Sequence, residues 1–228
     1  MSFKLLDHYG EYCEIINSAT SQKPYINAKT ELNPTQHFVS STMKYNDDDC
    51  RFNLSLQSIN TIIEHSKGAN VLTLNEHPTL KLADKIIETF DEDSLKKIDR
   101  IGFRTWIIFI DKKFTFDKLK ETFIENNTFL KKTSIKNNID DLAIVFETKQ
   151  NDVEQSRICL GPYRESEFKK YFSVANQIKE GFILDIDIWQ KNCEIPKLSL
   201  EKNSRHYFQT INETAINLYE RLKEVINV

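Results

Sequence analysis

Apolar and polar positions alternate most regularly at residues 50–59, where Phe52, Leu54 and Leu56 are interleaved with Arg51, Asn53, Ser55 and Gln57. A period of two predicts a strand with one buried and one wet face. With residues 37–44 as its partner and 45–49 as the turn, it makes a hairpin. Two longer runs rich in Ile, Phe and Trp, 100–111 and 181–189, have the composition that a pleated, half-buried surface favours and predict long strands. Residues 142–148 and 156–162 predict a second hairpin across the polar loop 149–155.

Helical spacing appears between these strands. Pro78 opens a helix with Ala83, Ile86, Ile87 and Phe90 on one side, ending near the acidic 91–93. Residues 116–126 form another, with Thr115 as N-cap and Phe114 and Leu119 as a hydrophobic staple. A short helix is expected at 165–174. A last one covers 204–226, its apolar stripe running Phe208, Ile211, Ala215, Leu218, Leu222, Val225. Near the start, Leu5, Leu6, Tyr9, Cys13 and Ile16 fit a helical stripe that Gly10 weakens, and 21–36, with Pro24 and Pro34, reads as an irregular connector. The order hairpin, helix, long strand, helix thus occurs twice. It predicts an α+β fold of largely antiparallel sheet or sheets with helices on one side. The expected divisions are 1–36, 37–128 and 129–228, joined in one compact body.

Composition narrows the function classes. In 228 residues, five Gly and five Pro leave no Gly-rich phosphate loop or flexible linker. The net charge of −3, from 31 basic and 34 acidic residues, shows no basic excess, which argues against a nucleic-acid partner. No run approaches the roughly 20 apolar residues of a membrane span, and the short apolar start before Asp7 and His8 is no secretory signal. The widely spaced Cys13, Cys50, Cys159 and Cys193 read as reduced thiols of a cytoplasmic protein.

The candidate chemistry lies on the long strands. Strand parity places Arg100, Gly102, Arg104, Trp106 and Ile108 on one face of the first, and Ile183, Asp185, Asp187 and Trp189 on one face of the second. Asp185 and Asp187, about 7 Å apart, would hold a divalent cation only with a third ligand. The competing reading pairs Arg104 with Asp185 or Asp187 across a shared sheet, fixing register. Arg100, Arg104, Trp106, Asp185, Asp187 and Trp189 are therefore the candidate binding face. No metal site, cofactor or catalytic set is assigned. The five histidines (His8, His37, His65, His77, His206) show no metal-ligand spacing. His206 is expected in the first turn of the last helix, where the helix dipole disfavours a cation. Nothing specifies a nucleophile pair such as Cys159 with His206. The three aspartates 47–49 read as a solvated loop tip.

Arg100-Ile-Gly-Phe-Arg104 resembles the arginine–aliphatic–glycine–aromatic–arginine strand of a sporadically distributed, uncharacterised prokaryotic family of similar size. The preceding hairpin, Leu184-Asp-Ile-Asp187 and the helix entered near His206 match the same family from about Phe38 onward. The resemblance implies a mobile-element defence or toxin-neutralisation setting. The expected function is a non-catalytic interaction protein with a protein partner, with a homodimer through helices or sheet edges also open. The alternative is metal-assisted phosphoryl-transfer or hydrolytic chemistry at Asp185 and Asp187.

Overall fold

The computed structural model describes residues 9–21, 23, 25–33, 35–36, 38–55, 58–65, 77–89, 99–109, 114–127, 132, 138–149, 152, 154–164, 180–191 and 200–226. Side chains are described at these positions except 65, 163, 164, 180 and 200–204. The α+β expectation holds: helices accompany two antiparallel four-stranded sheets. The chain divides into two compact units, Met1–Asp99 with Cys193–Phe208, and Arg100–Asn192 with Gln209–Val228.

In the first unit, helix α1 (Tyr9–Thr20) precedes a meander of β1 (Ile26–Asn33), β2 (Phe38–Tyr45), β3 (Asp48–Ser55) and β4 (Ile59–His65), followed by helix α2 (Pro78–Ile87). The alternation read in the sequence has its physical cause here. Phe52 and Leu54 are buried beside Val39 and Met43 on one face, while Arg51 on the other is exposed. Tyr12 and Ile16 of α1 and Leu82, Ala83 and Ile86 of α2 complete that core. Each such large side chain contributes about 1.5–3 kcal/mol by leaving water.

Several boundaries differ from expectation. The connector 21–36 contains β1, a polar edge strand whose side chains are mostly exposed, so no hydrophobic alternation announces it. The strand expected over 50–59 is two strands, because the chain reverses between Ser55 and Ile59 and β4 pairs back onto β3. The turn between β2 and β3 is only Asn46 and Asp47, with Asn46 left-handed at φ 55°. Asn tolerates that conformation better than most residues. Asp48 and Asp49 therefore belong to β3 rather than to a loop tip. Gly10 does not interrupt α1, whose buried positions Tyr12, Ile16 and Thr20 recur every fourth residue.

The second unit orders its strands β5 (Arg100–Phe109), β8 (Glu180–Lys191), β7 (Glu154–Arg164) and β6 (Ile144–Lys149). β4 belongs to the first sheet and the long strand β5 pairs with β8, so the repeated order in sequence does not coincide with the two units. On one face Phe182, Leu184, Ile186 and Ile188 are buried, while their β5 neighbours are half-buried, as suits an edge. Helix α3 (Phe116–Lys120), continued by a wider π turn over Glu121–Glu125, packs on this side. Thr115 caps it by accepting from the Lys118 N–H, and Phe114 and Leu119 are both buried, forming the expected staple. Phe114 meets Phe182, and Tyr219 of helix α4 (Leu200–Ile226) stacks on Phe109 at 4.5 Å. The α4 stripe runs through Phe208, Ile211, Ala215 and Leu222 but ends at Ile226. Val225 is 55% exposed, since a step of four from Leu222 keeps the face better than a step of three. The helix expected at 165–174, and Leu5, Leu6, Leu56 and Phe90, lie outside the described residues.

Candidate functional site

The outer face of the second sheet collects every residue of the candidate face. β5 and β8 pair without a break from Arg100 opposite Lys191 to Phe109 opposite Phe182. Arg104 stands directly opposite Asp187 but forks diagonally onto Asp185, Nε to Oδ1 at 2.8 Å and Nη2 to Oδ2 at 2.5 Å. Arg100 reaches further along the strand and donates from Nη2 to Asp187 Oδ2 at 2.7 Å. Its guanidinium lies 4.5 Å from the centre of the Trp189 ring, and that of Arg104 lies 4.9 Å from the Trp106 ring. The result is a ladder of alternating charges closed by an indole at each end: Trp189, Arg100, Asp187, Arg104, Asp185, Trp106.

Gly102 explains how Arg100 can span two register steps. It stands opposite Trp189, and a Cβ built there would lie 3.1 Å from the Trp189 Cβ and 3.4 Å from Arg100 Nε. The missing side chain is the groove along which the arginine lies. The arginine–aliphatic–glycine–aromatic–arginine pattern thus has a mechanical reading: two arginines reach two aspartates, and glycine clears the way for the first.

The arginine side chains are about half exposed, at 48% and 49%, and the aspartates beneath them only 20% and 18%. The surface therefore offers the guanidinium groups, flanked by partly buried indoles, while the carboxylates are largely covered. The Asp185 hydrogen bonds raise the Arg104 guanidinium above its ordinary value, against the opposing effect of burial. Exposed pairs of this kind contribute about 0–1 kcal/mol each, and the stacked cations about 0.5–1 kcal/mol. Their main effect is to specify register. β7 adds Gln155, Arg157 and Cys159 to the same face, opposite Trp189, Asp187 and Asp185. Burial, then the neighbouring Asp185, pushes the Cys159 thiol up, so it is not a prepared nucleophile. His206 has its ring 5.5 Å from Tyr207; because α4 starts at Leu200, it lies in the second turn, beyond the reach of the first-turn dipole argument.

A second constellation, in the first unit, was not legible in the sequence. His77 is the N-cap of α2. Its Nδ1 accepts from the Thr79 N–H at 3.3 Å and lies 2.7 Å from Thr79 Oγ1. That acceptor role leaves the neutral ring's proton on Nε2, which faces Cys50 Sγ at 3.7 Å and Asp48 Oδ2 at 3.8 Å. Tyr45 meets the imidazole edge-on with centroids 4.8 Å apart, and Tyr25 meets Tyr45 at 6.3 Å. The residue types match a cysteine–histidine–aspartate catalytic set, but the chemistry does not. Cys50 is 3% exposed, and burial, reinforced by Asp48, pushes its thiol up to about 12. Burial likewise pushes the Tyr25 hydroxyl up, and no hydrogen bond reaches it. This is a buried polar knot joining the β2–β3 end to the start of α2. The only sequence signal for it was Pro78, which as first helical residue makes His77 the cap.

Among the described residues no group of three or more His, Cys, Asp or Glu side chains is placed to hold a metal ion, and no helix is long and apolar enough to cross a membrane. No protein-family model matches the chain, and neither a curated protein nor a solved structure does.

Proposed function

We propose that this chain is a non-catalytic binding protein that receives a protein partner on the outer face of its second sheet. The ladder of Arg100, Arg104, Trp106, Asp185, Asp187 and Trp189 carries this reading. Arg and Trp are the side chains most favoured as anchors at protein interfaces. Here they are held in place by ion pairs and stacking, so less side-chain freedom is lost on docking.

The same ion pairs weigh against metal-assisted chemistry, since a cation at Asp185 and Asp187 would have to displace both guanidinium groups. They also weigh against nucleic acid: each ladder arginine already faces a carboxylate, so the face lacks the unneutralised basic stripe that phosphate backbones require. The free thiols Cys13, Cys50 and Cys159 suit the reducing cytoplasm. A role in mobile-element defence or toxin neutralisation rests on the family resemblance alone.

The test is a photo-crosslinking amino acid placed at Trp189 and, as control, at Asn60 on the outer face of the first sheet. Discrete protein adducts at 189 that are absent at 60, and that Arg104→Glu removes, are expected. Equal adducts at both positions would overturn the proposal. So would a divalent-dependent rise in melting temperature that the Asp185→Asn, Asp187→Asn double variant loses, which would favour the metal reading.

A further inference from the structure

Edge strands expose unpaired backbone groups and are commonly guarded against association, and here β1 and β6 are built differently. β1 carries a register break between Ile26 and Lys29, a left-handed Asn27 at φ 53° and a Lys29–Glu31 ion pair, with Pro24 and Pro34 as its sequence flanks. Bulge, charge and proline are the usual guards. β6 has no bulge, glycine or proline, and its two charged residues, Glu147 and Lys149, are engaged within the chain by Arg157 and Asp152. Its register with β7 is unbroken over Ile144 to Lys149, and every residue from Val145 onward is exposed. Val145 and Phe146, on opposite faces, are 46% and 45% exposed. An unbroken edge with apolar groups open on both faces is a template for strand addition.

We propose that the occupant is a second copy of this chain, its β6 pairing antiparallel with the first about a two-fold axis normal to the sheet at Phe146. Such an axis preserves the two faces, so each residue must pair with one of its own parity. Two registers keep most of the strand paired. Centring on Glu147 sets two carboxylates directly opposite each other, which is destabilising. Centring on Phe146 sets Phe146 against Phe146, Val145 against Glu147 and Ile144 against Thr148, with no like charges opposed. Glu147 is countered within its own chain by Arg157, Nε to Oε1 at 3.8 Å. The pairing joins two four-stranded sheets into one continuous sheet and covers the exposed apolar groups of both strands. None of the ladder residues takes part, so this inference stands or falls separately from the proposed function.

Sedimentation velocity on the full chain over micromolar to millimolar concentrations tests it. A species of twice the 26.8 kDa chain mass should appear as concentration rises. Phe146→Lys, which opposes two ammonium groups at the axis, should raise the dissociation constant at least about tenfold. Under mild oxidation Phe146→Cys should form covalent dimers above the parent chain's background, and Thr148→Cys should not. A single 26.8 kDa species throughout, a dimer indifferent to Phe146→Lys, or stronger crosslinking from Thr148→Cys would each overturn the proposal.

Discussion

The two units place similar side chains in opposite situations. Around His77 an aspartate, a cysteine, a histidine and two tyrosines are enclosed, and burial pushes the Cys50 thiol up to about 12. On the second sheet aspartates, arginines, a cysteine and two tryptophans lie on an outer face, where the arginines remain about half exposed. The first arrangement spends its polar groups on fixing a helix start. The second holds them in order while leaving the guanidinium groups accessible. Residue type alone does not separate a structural knot from a binding face; exposure does.

The contrast can be broken most strongly with pH. Cys50 has its ordinary value of 9.0 in the unfolded chain and about 12 when folded. Between those values the unfolded chain releases a proton that the folded chain keeps, so stability is full below pH 9 and falls as pH rises. The expected slope from this group is about 1.4 kcal/mol per pH unit. Urea unfolding across pH 8 to 11 checks it, and Cys50→Ala should flatten the curve. An unchanged slope in that variant would show that Cys50 is not the source.

The cap comes next. His77→Ala removes the acceptor of the Thr79 N–H and part of the packing around Cys50, and should cost about 2 kcal/mol. His77→Asn, which restores a capping oxygen, should recover part of that loss in the same thermal denaturation.

On the exposed side, Gly102→Val sharpens the comparison. Its Cβ would press on Trp189 and Arg100, so we expect a loss of about 1 kcal/mol. Both tryptophans of the chain belong to the ladder, so their fluorescence should shift at the same time. Arg104→Gln should have the smallest effect on stability, below about 1 kcal/mol after allowing for solvent screening. A loss near that of His77→Ala would mean that the ladder is as structural as the knot.

The amino-acid sequence by itself determined the elements whose stability comes from local pattern. The alternation of Phe52 and Leu54, Pro78 and Thr115 at helix starts, and the stripe from Phe208 to Leu222 each encode one face or one end of one element. Parity on β5 and β8 even named the ladder, because a strand's period of two assigns faces without knowing its partner. Beyond the two hairpins, which the sequence announced, only the tertiary structure decided which strands became partners. β1 carries no buried alternation to reveal it, and β4 was hidden by a short reversal after Ser55. β5 paired with β8, and Arg104 came to bond Asp185 diagonally across 81 residues of chain. His77, Cys50 and Asp48 became neighbours the same way. Such contacts depend on how separate elements pack, and no local period along the chain records them.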